Sequence, residues 1–268
     1  MSEEKSVIVL PNRVAGEPVT AIGEKAYLSR KDVEILILPD CVRSIGSWAF
    51  SHMKNLREIT LPAADIRFGK QIFLGCDRLQ RVLLSGAENY EGIPFFLATM
   101  FVYFPTPELC NPVLAGSPKG QWEWLRAYDD VLRNFLEGAD DNGFEPAFIG
   151  WFDVEDVDDQ KTEYILGRKR DKVRLAFQRL IYGQNLSEEF HRVLVSRLLQ
   201  NADIVTDLLP TVDIRYYQIW AEAGGFTRES TEQLLKCLPR ELAEIRAYLL
   251  SLSEDPKKGD GFFDELEL

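Results

Sequence analysis

Apolar residues in the first third of the chain come in short runs, three of which end at a proline. The runs are VIVLP at residues 7–11, LILP at residues 36–39 and EITLP at residues 58–62, and RVLLS at residues 81–85 is a fourth run without the proline. Short runs rich in Val, Ile and Leu are typical of strands. Because proline has no N–H to donate, we expect each strand ladder to end at it.

A period of 23 residues relates these runs to one another. Three sets of residues recur at this spacing: Gly23, Gly46 and Gly69; Ile22, Ile45 and Phe68; and Tyr27, Phe50 and Phe73. A unit of this length with one short strand cannot bury its apolar residues alone and must stack on its neighbours. The pattern therefore predicts a short β-solenoid over residues 1–85, with glycine at tight corners and the Ala/Trp/Phe group of residues 48–50 at core or corner positions.

Two repeats depart from the common pattern. The first has a five-residue insertion around Gly16 and Pro18, which are turn-forming residues, so we expect the insertion to bulge outward without shifting the period. The third has Asp65 where the second has Val42, and we expect a local distortion there.

Strand alternation assigns each residue of these runs to one of two faces. In LREITLP, Leu56, Ile59 and Leu61 should point inward. The same register gives two outward columns, which together we call the outward strand face: Val7, Ile35, Glu58 and Arg81; and Val9, Ile37, Thr60 and Leu83. A solvated strand face should alternate to polar residues, and this one is largely apolar. We therefore expect that it is covered by the chain's own C-terminal half or a second copy, or that it docks another protein.

The rest of the chain has a helical pattern without the period. Apolar residues at helical spacing predict helices at 93–104, 121–138, 171–183, 187–200, 213–225, 227–238 and 239–252. Gly138 is expected to end one helix, Ser187 to cap another, and Gly224 with Gly225 to form a hairpin between two. The pattern predicts an all-α domain of helical pairs over residues 86–254 that caps the repeats. The polar tail, residues 255–268, is expected to be disordered or to act as a docking peptide.

The repeats resemble a known family. The pattern I-x-L-P-x-x-V-x-x-I-G-x-x-A-F, nearly reproduced from residue 35 onward, resembles the BspA-type class of bacterial leucine-rich repeats, and GEPVTAIGEKAY at residues 16–27 resembles the usual first repeat of that class. The resemblance covers about residues 5 to 85. It implies an α+β protein in which a leucine-rich-repeat β-solenoid precedes the all-α domain, and it implies a protein-interaction surface without catalytic residues.

Charge and composition narrow the classes of partner and location. The net charge is −12, which disfavours bulk binding to nucleic acid or anionic membranes. No apolar run is long enough for a membrane span or a signal peptide, so we expect a cytoplasmic protein, with secretion requiring a longer N-terminus. The four cysteines, Cys41, Cys76, Cys110 and Cys237, lie far apart and are expected to be reduced.

One basic cluster stands out against the acidic background. It consists of Arg168, Lys169, Arg170, Lys172 and Arg174. Such a cluster usually forms a solvated face or pairs with neighbouring carboxylates, and the alternatives are an acidic protein partner or contact with RNA or DNA. Interleaved aromatic residues, which would favour nucleic acid, are missing from this stretch of sequence.

The sequence offers little material for catalysis or for a metal site. The only histidines are His52 and His191, and the common catalytic and nucleotide-binding motifs are not found. The acidic stretch of residues 137–159 fails as a calcium loop: with Gly143 at the turn position, Gly138 falls on a ligand position and Ile149 on the position of the bidentate glutamate. We therefore expect no catalytic residue, metal or cofactor.

These observations predict a non-enzymatic protein-interaction or scaffold module. It would bind a protein partner, or a second copy of itself, through the outward strand face and the groove between the two domains. Two alternatives remain open. One is an exported surface adhesin, which the family resemblance allows, and the other is a nucleic-acid-associated protein that uses the basic cluster.

Overall fold

The computed structural model describes residues 6–86, 92–104, 110–114, 118–144 and 154–254. The chain divides into two compact units, Met1–Val131 and Leu132–Leu268, and one helix runs across the border between them. The first unit thus extends well beyond residue 85, where the sequence period stops. A domain boundary at that residue stays a prediction, and the polar tail lies outside the described residues.

The described residues form short strands followed by helices, so the chain is a mixed α and β protein. The strands are β1 (Val7–Val9), β2 (Arg13–Val14), β3 (Glu17–Pro18), β4 (Ala21–Ile22), β5 (Ile35–Ile37), β6 (Ser44–Ile45), β7 (Glu58–Pro62), β8 (Arg67–Phe68) and β9 (Arg81–Ser85). The helices are α1 (Ile93–Tyr103), α2 (Asn111–Leu114), α3 (Pro118–Glu137), α4 (Val154–Ile181), α5 (Glu188–Leu199), α6 (Ala202–Leu208), α7 (Ile214–Glu222), α8 (Arg228–Cys237) and α9 (Ala243–Glu254).

The strand pairing of the first unit follows the sequence period. One parallel sheet has the order β1-β5-β7-β9, and a second has the order β4-β6-β8. In the second sheet Ile22 pairs with Ile45 and Ile45 with Phe68, each 23 residues further along the chain. The insertion of the first repeat forms the antiparallel hairpin β2–β3 and leaves both registers intact, as its turn residues predict.

Between the two sheets lies a core built from the same position of successive repeats. Leu36, Ile59 and Val82 are fully buried. The rings of Tyr27, Phe50 and Phe73 form a column, with centroids 5.9 Å and 5.4 Å apart, and Phe101 of α1 continues it at 5.0 Å from Phe73. Aromatic pairs at these separations add to the stability gained from burial. Helix α1 therefore supplies the last layer of the stack and covers the end at β9.

Left-handed backbone conformations also recur with the period, at the corners. Lys25, Trp48 and Gln71 all have φ between 52° and 57°, although none is glycine. Trp48 is half-buried, and its Nε1 donates a hydrogen bond of 2.8 Å to Oε1 of Gln71 in the next repeat. Ala49 and Phe50 lie in the core. Of the two predicted locations, Trp48 therefore occupies the corner, where successive repeats contact each other.

Proline ends one strand ladder and lies just beyond two others. Pro62 is the last residue of β7 and pairs with Ser85, as predicted, whereas β1 and β5 end two residues before Pro11 and Pro39. In the third repeat Ile66 is buried and Asp65 is exposed, whereas Val42 is buried in the second. The distortion is thus a shift of the inward position by one residue. Asn111 of α2 accepts a hydrogen bond of 3.1 Å from the shifted Ile66 N–H.

The second unit consists of helices whose ends follow local rules. Ser187 caps α5 and accepts from the N–H of Phe190, as predicted, and Asp213 caps α7. Thr227 and Ser230 form a capping box at α8. Helix α4 is much longer than the predicted segment and packs on α5, α6 and α7, while α6 was not predicted. Among the described residues, no helix is long and apolar enough to cross a membrane.

Candidate protein-interaction surface

The eight residues of the outward strand face lie side by side in two columns. Strand pairing joins Val7 to Ile35, Glu58 and Arg81 in turn, and it joins Val9 to Ile37, Thr60 and Leu83. This is the register that the repeat pattern predicts: adjacent partners are 23 residues apart, and the five-residue insertion of the first repeat makes the first step 28. The role of these residues in binding stays a prediction.

None of these eight residues belongs to the buried core. Val7 and Val9 are 48% and 65% exposed, Arg81 is exposed, and the other five residues are half-buried. Half-burial is expected for inner strands, because each side chain is flanked by residues of the strands on either side, about 4.8 Å away. The column of Val9, Ile37 and Leu83 therefore offers apolar side chains that a partner could cover.

Ion pairs between repeats mark the charged part of this face. Arg81 contacts Glu58 at 3.0 Å, and Arg57 contacts Glu34 at 3.9 Å, each pair spanning adjacent repeats. Both arginines are more than half exposed, so each pair contributes little to stability. They give the face a polar border beside the apolar columns, an arrangement typical of protein interfaces.

The predicted basic cluster is divided by the fold of the second unit. Lys172 is 1% exposed, and its Nζ donates to the Gly138 carbonyl and, at 2.6 Å, to Oδ1 of Asp140. The Arg168 guanidinium lies 4.3 Å from the centre of the Phe135 ring. Lys172 is therefore a structural residue that holds the end of α3, and it does not contribute to a surface patch with Arg170 and Arg174.

Two carboxylates of the acidic stretch after α3 pair with lysines of the second unit. Besides the Lys172 pair, Asp141 contacts Lys161 at 3.2 Å, and the Tyr164 hydroxyl donates to the Asn142 carbonyl. Residue 149, which falls on the bidentate-glutamate position of a calcium loop, lies outside the described residues. In the part of the chain that the structure describes, no group of three or more His, Cys, Asp or Glu residues is placed to hold a metal ion.

The cysteines and histidines occupy different environments. The Cys76 thiol is buried in the repeats and donates to the Phe50 carbonyl at 3.1 Å, and its burial raises its pKa to about 12. Such a thiol is a weak nucleophile. Among the described residues Cys41, Cys76 and Cys237 are free, and Cys237 is exposed. His52 lies at a corner of the repeats, and His191 lines an open cleft of about 420 Å³ beside Glu188 and Arg192.

The comparisons with known proteins bear on the first unit. No curated protein matches the chain, and no solved structure matches it. One family model matches the chain from β1 past β9 and through α1, so the match includes the helix that covers the repeats. Residues 8–109 match the family model of the BspA type leucine rich repeat region, in six copies.

Proposed function

We propose that this chain is a non-catalytic protein-interaction module that binds a protein partner through the outward strand face. Stacked repeats of this family typically mediate protein–protein interaction. The observation that carries the proposal is the row of accessible apolar side chains, Val9, Ile37 and Leu83, on strands whose opposite face already fills the core.

The size of the face determines what kind of partner it can hold. Its five apolar side chains are Val7, Val9, Ile35, Ile37 and Leu83, and covering the remaining exposed part of each gains roughly 1 kcal/mol. The gross gain of roughly 5 kcal/mol only balances the smaller estimates of the cost of association. A partner must therefore contact residues beyond the two columns, which favours a folded protein or a long peptide over a small molecule.

Charge placement gives the bound partner a direction. The apolar residues Val7 and Ile35 begin one column, and the ion pair of Glu58 and Arg81 ends it. A partner with an apolar segment beside a polar one would match this order, because an apolar group placed over the ion pair would desolvate it without compensation. A second contact region between the two domains stays a prediction from the sequence.

The test is a pull-down from cells that produce the protein, with single substitutions on the purified chain. Ile37→Asp and Leu83→Asp place charges on the face, and both are expected to lose the partner. Leu28→Asp is the matched control, since Leu28 is an exposed leucine at a repeat corner, outside the two columns. Circular dichroism must first show that all three variants fold. Retention of the partner by both face variants would rule out this surface.

Two alternatives keep separate tests. The adhesin alternative uses the same face outside the cell, so recovery of the native protein from the cell surface would favour it, and recovery only from the cytosol would exclude it. The nucleic-acid alternative draws no support from the basic cluster, because Lys172 is buried and Arg168 stacks on Phe135. Binding in a gel shift at low salt that Arg170→Glu abolishes would be needed to revive it.

A further inference from the structure

In the part of the chain that the structure describes, the first repeat lacks the cover that the later repeats have. Ile8, Leu10 and Tyr27 are only half-buried, whereas their counterparts in the second repeat, Leu36, Leu38 and Phe50, are at most 2% exposed. At the opposite end of the stack, Phe101 of α1 packs on Phe73 and covers the last repeat. The repeats therefore have one closed end and, among the described residues, one open end.

The glycine column, which consists of Gly23, Gly46 and Gly69, gives a second sign that the open end receives a neighbour. A Cβ on Gly46 would lie 2.6 Å from the Glu24 nitrogen, so glycine is needed there because the preceding repeat packs so closely. Gly23 occupies the same position in the first repeat, and nothing described lies within 4 Å of a Cβ placed on it. Glycine is thus present at position 23, where it would permit a neighbour to pack closely, although the described structure shows no group in contact there.

Backbone groups at this end are arranged for pairing. Strand β1 is the edge of its sheet. The Leu10 N–H donates to the Ile37 carbonyl, and the Ser6 carbonyl accepts from the Ile35 N–H, so residues 6, 8 and 10 face β5. Because alternate residues of a strand direct their N–H and C=O to opposite sides, those of Val7 and Val9 point away from β5, toward the open side.

Apart from the shortness of β1, which has three residues, this edge carries little of the usual protection against pairing. Natural edge strands are commonly guarded by charged side chains, proline or bulges, and residues 6–10, SVIVL, contain none of these. Charge also favours association at this end of the chain. Residues 1–85 carry 12 Lys and Arg against 10 Asp and Glu, a net charge of +2, which leaves −14 for the remainder. Two copies repel least when they meet through the repeats.

We propose that β1 pairs antiparallel with β1 of a second copy, about a two-fold axis that passes between Ile8 and Ile8 of the partner subunit. Val7 would then lie opposite Val9 of the partner subunit, and Val9 opposite Val7 of the partner subunit, with each pair exchanging two hydrogen bonds. A second copy fits because the end at β9 is covered by α1, so copies cannot stack head to tail, whereas an antiparallel pair needs only one kind of edge.

The pairing has two structural consequences. It joins two four-stranded sheets into one of eight strands and places the two outward strand faces side by side. It also lets Ile8 of each copy be covered by the other. The proposal concerns self-association and does not depend on the protein-binding role of the face.

The experiment measures the mass of the purified full-length chain by sedimentation over about two decades of concentration, because association must follow mass action. The wild-type mass should rise toward twice 30.7 kDa. Val9→Lys and Val7→Pro should remain at 30.7 kDa, since the first adds a charge at the edge and the second removes one outward N–H. Val14→Lys is the matched control, because Val14 is an exposed valine of the same repeat outside β1, and it should associate as the wild type does.

Amide hydrogen exchange identifies the strand involved. The Val7 and Val9 amides should exchange at least about tenfold more slowly at high concentration than at low, while the Leu10 amide, bonded to Ile37 within the chain, should be protected in both. A wild type that stays at 30.7 kDa throughout would overturn the proposal. Slow exchange of Val7 and Val9 in that monomer would show that the chain covers its own edge. A dimer that survives both edge substitutions would assign the interface elsewhere and overturn it equally.

Discussion

The glycine column makes a prediction that separates close packing from conformational freedom. Gly46→Ala would place Cβ 2.6 Å from the Glu24 nitrogen and 2.9 Å from the Gly23 carbonyl carbon, both rigid backbone atoms. Ordinary contacts of this kind begin near 3.4 Å, so the two repeats must separate by several tenths of an ångström. Gly23→Ala meets nothing within 4 Å and needs no left-handed φ. Because the same substitution is made at two equivalent positions, the difference in stability between the two variants reports the effect of the preceding repeat alone.

The structure gives the size of the effect. Separating the repeats at Gly46 also stretches the hydrogen bond from its N–H to the Ile22 carbonyl, now 2.9 Å, beyond the useful range. The lost bond costs about 1 kcal/mol and the overpacking about 1–3 kcal/mol, so the free energy of unfolding should fall by about 2–4 kcal/mol. Gly23→Ala should instead raise the free energy of unfolding by up to about 1 kcal/mol, through the entropy of the unfolded chain.

Urea denaturation of both variants, followed by circular dichroism, measures this difference, and hydrogen exchange of residues 34–62 shows whether the loss lies in the repeats. The measurements belong at concentrations where the protein is monomeric, so that Gly23 is tested without a second copy. Equal stability of the two variants would refute the reasoning, because it would mean that the stacked backbones yield at almost no cost.

Two further predictions concern the cover of the repeats and the buried lysine. Phe101→Ala should lower the free energy of unfolding by about 3–5 kcal/mol, since it removes the last ring of the aromatic column, whereas Leu74→Ala, at an exposed leucine, should change it by under about 0.5 kcal/mol in the same urea titration. Asp140→Asn should cost about 3 kcal/mol, because it leaves the Lys172 ammonium buried and unpaired, and Asp141→Asn, which breaks an exposed pair with Lys161, should cost under about 1 kcal/mol. A loss for Asp141→Asn as large as that for Asp140→Asn would contradict this reading of the buried pair.

The repeats could be predicted from the sequence because their constraint is periodic. Once Ile22, Ile45 and Phe68 are aligned, parallel stacking assigns each strand residue a partner 23 positions away, or 28 positions away where the five-residue insertion of the first repeat intervenes, and the two columns of the outward strand face follow. Helix ends were predictable for a similar local reason. Ser187 satisfies an N–H within three residues of itself, so nothing distant is needed to identify it as a cap.

Positions that depend on distant residues were not accessible in this way. Lys172 belongs to a basic run in the sequence, and only the approach of the Gly138 carbonyl and Asp140, more than thirty residues earlier, makes it a buried residue. Ile66 replaces Asp65 at the inward position because a shift of one residue exchanges the faces of an extended chain. The role of Phe101 as the continuation of the aromatic column also required the path of the chain after β9.

The sequence by itself determined the repeat, its period and the identity of the outward strand face, because a periodic pattern of inward residues allows only one stacking register. The tertiary structure decided which end of that stack is closed and which is open. Closure depends on where α1 lies, and the open end shows only in the contrast between half-buried Tyr27 and fully buried Phe50, two aromatic residues at the same position of the repeat. Burial depends on what packs against a residue, and for the ends of a repeat stack this is set outside the repeating pattern.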